Sequence, residues 1–270
     1  MTIKGFFKLL FRDLINSWQY GKFKYIAFFI MIIFLSVMKS LQIKQFDASS
    51  VGTFFLLLQD NGYIKHITDY QIPFYWNFIQ FFILFLIGDY LFYDSQKNKT
   101  YALIRSGSRT AFISAKIGWI IIQNTIIVIF LFLAIYISSG IIFGDFSIDC
   151  SDYFLNRIQP FMNISTSPVK LLVQLLVGFI LSSVVLSGII LLGMQFFEKI
   201  SVFFSVIILC SISTFYGGKW LPAVHSMILK HQIFIQDYSL TFRFSIIYCI
   251  CFYIILGIAV VLAFRRKDHY

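Results

Sequence analysis

Apolar runs of about 20 residues recur along most of this 270-residue sequence, each able as a helix to cross a hydrocarbon core of roughly 30 Å. No other feature narrows the possible folds so sharply. Only 13% of the residues are charged and 59% are hydrophobic, whereas a soluble domain carries about 25% charged residues. The expected fold class is all-α: a polytopic membrane protein with six transmembrane helices, over 23–41, 72–93, 111–137, 169–192, 201–216 and 244–264, forming one domain.

A leading segment, 1–22, precedes the first span. Phe6, Phe7, Leu10, Phe11, Leu14 and Trp18 recur at steps of three and four, with Lys4, Lys8, Arg12 and Asn16 on the other side. That period predicts an amphipathic helix lying in the headgroup layer. The first apolar run follows this long basic lead with no Ala-x-Ala-like site after it, so it reads as a retained span rather than a signal peptide.

Lys and Arg in short loops set orientation. With the amino terminus inside, the inner segments hold most of the basic residues: the leading segment, the 93–116 loop, Lys199, and Arg265, Arg266 and Lys267. Both termini are therefore expected to be cytoplasmic. Residues 42–71 and 140–168 read as outer polar loops, the second carrying Asp145, Asp149 and Asp152.

The net charge of +10 flanks the spans instead of clustering, so nucleic acid is not expected as a partner. The Gly-Lys pairs, Gly21-Lys22 and Gly218-Lys219, sit in no Walker phosphate loop. There is no H-E-x-x-H, no G-x-S-x-G, and a single glutamate, Glu198. Cys150, Cys210, Cys249 and Cys251 form neither a CxxC pair nor a set of loop cysteines. The sequence predicts no enzyme, no bound metal and no cofactor on this chain.

The 93–116 loop is the longest charge-dense passage on the inner side. It offers Asp94 at the end of the second span, then Lys99-Thr100, the apolar Ala102-Leu103-Ile104, Ser108-Arg109, and Lys116 at the foot of the third span. This order resembles the ABC-2 family of exporter permeases, with Lys99 where glycine is usual and Ser106-Gly107 in place of the common proline. The motif covers about 24 residues; the topology covers the chain.

The resemblance implies a coupling helix over 94–104 seated on a cytoplasmic ABC ATPase subunit, two copies per assembly, with ATP and Mg bound by that partner. Asp94, Lys97, Lys99, Thr100, Tyr101, Arg105, Ser108 and Arg109 are the coupling candidates. It further implies pairing with a second permease subunit, the same or a sister chain, in a bacterial cell membrane. The expected cargo is hydrophobic or amphipathic, such as a bacteriocin-like peptide, moved in export or immunity. The rival readings are a stand-alone membrane immunity or sensor protein and the substrate-capturing subunit of an importer.

Polar residues inside spans are the remaining candidates. Asn77, Gln80, Gln123 and Asn124 read as interhelical bonds or a cargo path, with interhelical bonds favoured. Asp89 reads as a partner for Arg105 or Arg109, or as a side chain snorkelling to the interface. Gly178-x-x-x-Ser182 and Ser183-x-x-x-Ser187 allow close helix approach. Trp220, Leu221 and Pro222 mark 217–242 as an outer re-entrant or interfacial helical pair.

Overall fold

A computed structural model describes residues 3–62, 71–97, 109–235 and 240–266. Among them run seven α-helices: α1 (Ile3–Ile43), α2 (Ser50–Leu58), α3 (Phe74–Lys97), α4 (Arg109–Phe143), α5 (Pro168–Gly193), α6 (Lys199–Tyr216) and α7 (Phe242–Arg266). All but α2 are long and apolar enough to span a membrane, so the six expected spans are present as helices. Their ends follow local chemistry. Pro168 opens α5 behind Ser167, whose hydroxyl accepts from the Lys170 N–H at 3.4 Å. Gly217 closes α6 at φ 66°, a left-handed conformation that a side chain would strain.

The leading segment and the first span are one uninterrupted helix. Along α1 the buried positions step by three and four through Asp13, Ser17, Gly21, Tyr25, Phe28, Ile32, Ser36, Ser40 and Ile43, a single seam facing the bundle. The predicted apolar face is split by that seam. Leu10 is buried and Phe6 and Leu14 pack on the core, while Phe7, Phe11 and Trp18 are exposed.

At 41 residues α1 is about 62 Å long, twice the hydrocarbon thickness. It touches α4 at both ends of a long stretch: Leu10 at Gly118, and Ser36, which donates to the Ile135 carbonyl at 3.4 Å. The stretch spans about 39 Å of α1 but only about 26 Å of α4. Between those points Tyr25 accepts from Gln123 and Phe29 meets Phe130, so the extra length lies in the turns of α1 before Tyr25.

The centre of the bundle is α5, which packs against α3, α4, α6, α7 and the turn at Pro222–Ser226. One end of the bundle gathers the amino-terminal turns of α1 and α4 and the carboxyl end of α7. There Leu9 packs on Ala111 and Ala115, and Phe112 stacks on Phe264 at 5.8 Å. This is the proximal end, and the amino- and carboxyl-terminal helices both present their termini to it.

The distal end differs from the expected polar loops. Residues 42–71 contain α2, whose Ser50–Leu58 are all buried except Leu56. Nine residues cannot span lipid, so an apolar helix of this length must be buried in protein: Phe54 meets Phe132, and Ser40 and Thr53 share a hydrogen bond of 2.9 Å. The 140–168 loop holds a π-helical turn at Phe154–Ile158 that buries Phe154 and Ile158.

The expected helical pair over 217–242 is instead two 3-10 turns, Pro222–Ser226 and Ile228–Lys230, nearly every residue of them buried. They seat on the small-residue stripe of α5. A Cβ at Gly178 would lie 2.8 Å from the His225 carbonyl oxygen, and Ser182 donates to the Pro222 carbonyl at 3.0 Å. The stripe therefore admits a turn, where the sequence suggested another helix.

Candidate functional site

Among the described residues, four charges meet at the proximal end, inside the bundle. Lys116 of α4 lies 2.5 Å from Asp94 of α3 and 3.0 Å from Asp13 of α1. Arg12 closes on Asp13 at 2.5 Å and on Asp94 at 3.5 Å. Asp94, Asp13 and Lys116 are almost fully buried, at 0%, 1% and 4% exposed, while Arg12 keeps a path to the surface. These four charges balance formally, which favours holding them away from water. The Lys116 ammonium lies between the two carboxylates.

Aromatic contacts extend the clamp along α3. Tyr90 donates to Asp13 at 3.3 Å and packs on Trp119 at 4.8 Å. Tyr93 stacks on Tyr20 at 3.9 Å. A turn deeper, both oxygens of Asp89 are taken by lysines, Lys24 of α1 and Lys199 of α6. The last three turns of α3 are thereby tied to α1, α4 and α6 where the chain leaves for the 98–108 connection.

Asp94, expected among the coupling contacts, is buried and binds α3 to its neighbours. Asp94 and Lys97 belong to α3 itself, and Lys97 lies over the Tyr93 ring at 5.2 Å. Arg109 is exposed at the first turn of α4. Lys99, Thr100, Tyr101, Arg105 and Ser108 lie outside the described residues. Asp89, expected to meet Arg105 or Arg109, pairs with Lys24 and Lys199.

The intramembrane amides bond between helices. Gln80 donates to Ser183 and Asn124 to Ser187, each at 3.1 Å, and Gln123 donates to Tyr25 at 3.0 Å. All three amides are buried. The buried carbonyl oxygen of Asn77 has no protein partner among the described residues. Trp220 is exposed at the rim of the distal turns, whereas Pro222 is buried and Leu221 half-buried.

Sequence reasoning missed Asp13, Lys24, Tyr90 and Lys199 as partners. For Asp13 a signal existed, since it falls on the same helical stripe as Leu9, Leu10 and Ser17. Also missed was the polar group under the distal turns. Asp60 accepts from the Gly62 and Leu229 N–H groups, each at 2.9 Å. Lys230 donates to the Ser213 and Thr214 carbonyls at 2.8 and 2.7 Å, satisfying the carboxyl end of α6. Burial pushes Lys230 down to about 8, with the Asp60 charge opposing, and holds Asp60 above the usual carboxylate range.

Two histidines share that region. Burial pushes His225 down to about 3, helped by nearby His231, and His231 down to about 4. Both stay neutral in the folded chain and bind a proton when released, near the ordinary value of 6.5. Their contribution is complete above pH 6.5 and is lost as pH falls toward 4, at about 1.4 kcal/mol per pH unit for each histidine. Thermal unfolding of the purified chain should therefore move to lower temperature between pH 7 and pH 5. The double variant His225→Gln/His231→Gln should flatten that dependence. An unchanged slope in the variant rules out the histidines as its source.

Among the described residues no three His, Cys, Asp or Glu side chains gather closely enough to hold a metal ion. No family model, no curated protein and no solved structure matches the chain.

Proposed function

We propose that this chain is the transmembrane permease subunit of an ATP-driven exporter in a bacterial cell membrane. In this reading the proximal end, with both termini, faces the cytoplasm. Two copies of an ABC ATPase, which bind ATP and Mg, engage the 98–108 connection. The chain works with a second permease subunit, the same or a sister chain, on a hydrophobic or amphipathic cargo such as a bacteriocin-like peptide.

The observation that carries this reading is the clamp at the base of the 98–108 connection. A force applied there reaches α3 and α4 directly, and the Asp94–Lys116–Asp13 contacts pass it to α1. Packed elements with fixed contacts move as rigid bodies, which suits transmission from a soluble motor. The buried amides and the close seating of α5 supply the stiff frame such motion requires.

The test is copurification and turnover. The chain should bring down an ATP-hydrolysing subunit, and Tyr101→Ala/Arg105→Ala should lower transport-coupled hydrolysis by about tenfold or more while the folded yield stays level, the loss expected when one positioned contact set is removed. A variant that transports and hydrolyses like the parent overturns the coupling role.

A further inference from the structure

Lys24 and Lys199 converge on the single carboxylate of Asp89, Lys199 at 2.5 Å. Among the described residues no other carboxylate is within ion-pair reach of either lysine, so the trio carries one uncompensated positive charge. Both lysines are partly exposed, at 37% and 41%, unlike the sealed clamp beside them. The ammonium of Lys24 is steadied by the Tyr20 ring at 4.4 Å and lies 5.8 Å from the Phe85 ring.

Depth and shape point the same way. Lys199 is the first residue of α6, a helix of 18 residues and about 27 Å, close to the hydrocarbon thickness. Its ammonium therefore sits at the level of lipid phosphates. Glu198 makes no side-chain cap there, leaving the first N–H groups of α6 open to an anion. Directly beside Lys199 an apolar groove of about 440 Å³ opens between α3 and α6, lined by Phe81, Phe85, Ile200, Phe203, Phe204 and Ile207. One of its walls, the Phe203 ring, packs on Gly88 of α3, where a Cβ would meet the ring at 2.6 Å. The volume lies in the range, about 300–1,000 Å³, of sites that hold small ligands.

The geometry points to a resident phospholipid with an anionic headgroup, its phosphate between Lys24 and Lys199 and one acyl chain in the α3/α6 groove. A zwitterionic lipid fills the groove but leaves the surplus charge of the trio unmet, so a net negative headgroup is selected. The lipid bridges α1, α3 and α6 on the face where α6 makes few other contacts. This site requires only that the chain be in a membrane, and stands or falls independently of any motor.

The test uses the full chain in nanodiscs of mixed phosphatidylglycerol and phosphatidylcholine, with retained lipid counted by native mass spectrometry after detergent washing. The parent should keep phosphatidylglycerol over phosphatidylcholine by about tenfold or more, since each basic residue near the surface favours anionic lipid. Lys24→Gln/Lys199→Gln should erase the preference, and Lys219→Gln, at the other end of α6, should keep it. Ile207→Trp, which fills the groove and leaves the lysines in place, should lower retention of both lipids and serves as the check if the lysine variant folds poorly. Equal retention of the two lipids by the parent, an unaltered preference in the double variant, or parent-level retention of both lipids by Ile207→Trp overturns the site.

Discussion

Lys116→Met is expected to lower the stability of the chain by about 3–5 kcal/mol, the cost of breaking a buried ion pair from one side. The substitution keeps the length and apolar stem of the side chain and removes the charge. It takes from Asp13 and Asp94, 1% and 0% exposed, the buried cation that both of them face. Adding Asp94→Asn should restore most of the loss, because the remaining Asp13 carboxylate then pairs with Arg12 at 2.5 Å. The coupling between the two substitutions in a double-mutant cycle, read from thermal unfolding in detergent, should be large and of restoring sign. Additive losses would show that Lys116 and Asp94 do not act on each other. The restored pair has a second use: it folds without the ionic tie, so transport in that variant reports what the tie does beyond stability.

Gly178→Val should be the most damaging substitution at the distal end, at about 1–3 kcal/mol for overpacking. The atom it meets is the backbone oxygen of His225, 2.8 Å from the new Cβ, with the Ser226 Cα at 3.6 Å. A flexible side chain could swing clear, but a turn anchored by Ser182, Asp60 and Lys230 has to lift as a unit. Lifting it exposes His225 and His231, so the variant should lose the pH dependence of unfolding along with its stability. Gly257→Ala is the control, since its nearest contact would be ordinary packing at 3.7 Å. A Gly178 variant that unfolds like the parent would mean the turns are not seated on α5 as described.

Six spans were legible because hydropathy over about 20 residues is a local property of the chain. The amides were legible for the same kind of reason: Gln80, Gln123 and Asn124 lie deep in apolar runs, where a bond to another helix is their cheapest state. What escaped depended on contacts between distant segments. The helix α2 is apolar but only nine residues long, and nothing local tells such a run from a loop until α1 and α4 cover it. Asp94 was visible as a lone acid in a basic passage, and a docking role was the natural reading. Its burial follows from Lys116, 22 residues on, and from Asp13, 81 residues back, whose meeting no sequence window contains. The 3-10 turns escaped because Gly178 and Ser182 signal close approach without saying of what.

In the proposed reading a soluble ATPase grips this protein at the 98–108 connection from the cytoplasm. The most direct measurement of that grip is photocrosslinking in intact, transporting cells, with a photoreactive residue placed in turn at Lys97, Thr100 and Arg105 and each adduct identified. One recurring partner is expected, a nucleotide-hydrolysing subunit, whose adduct changes in yield when ATP is depleted. Adducts to lipid alone at all three positions, or labelling of those positions by a membrane-impermeant reagent added outside, would contradict it.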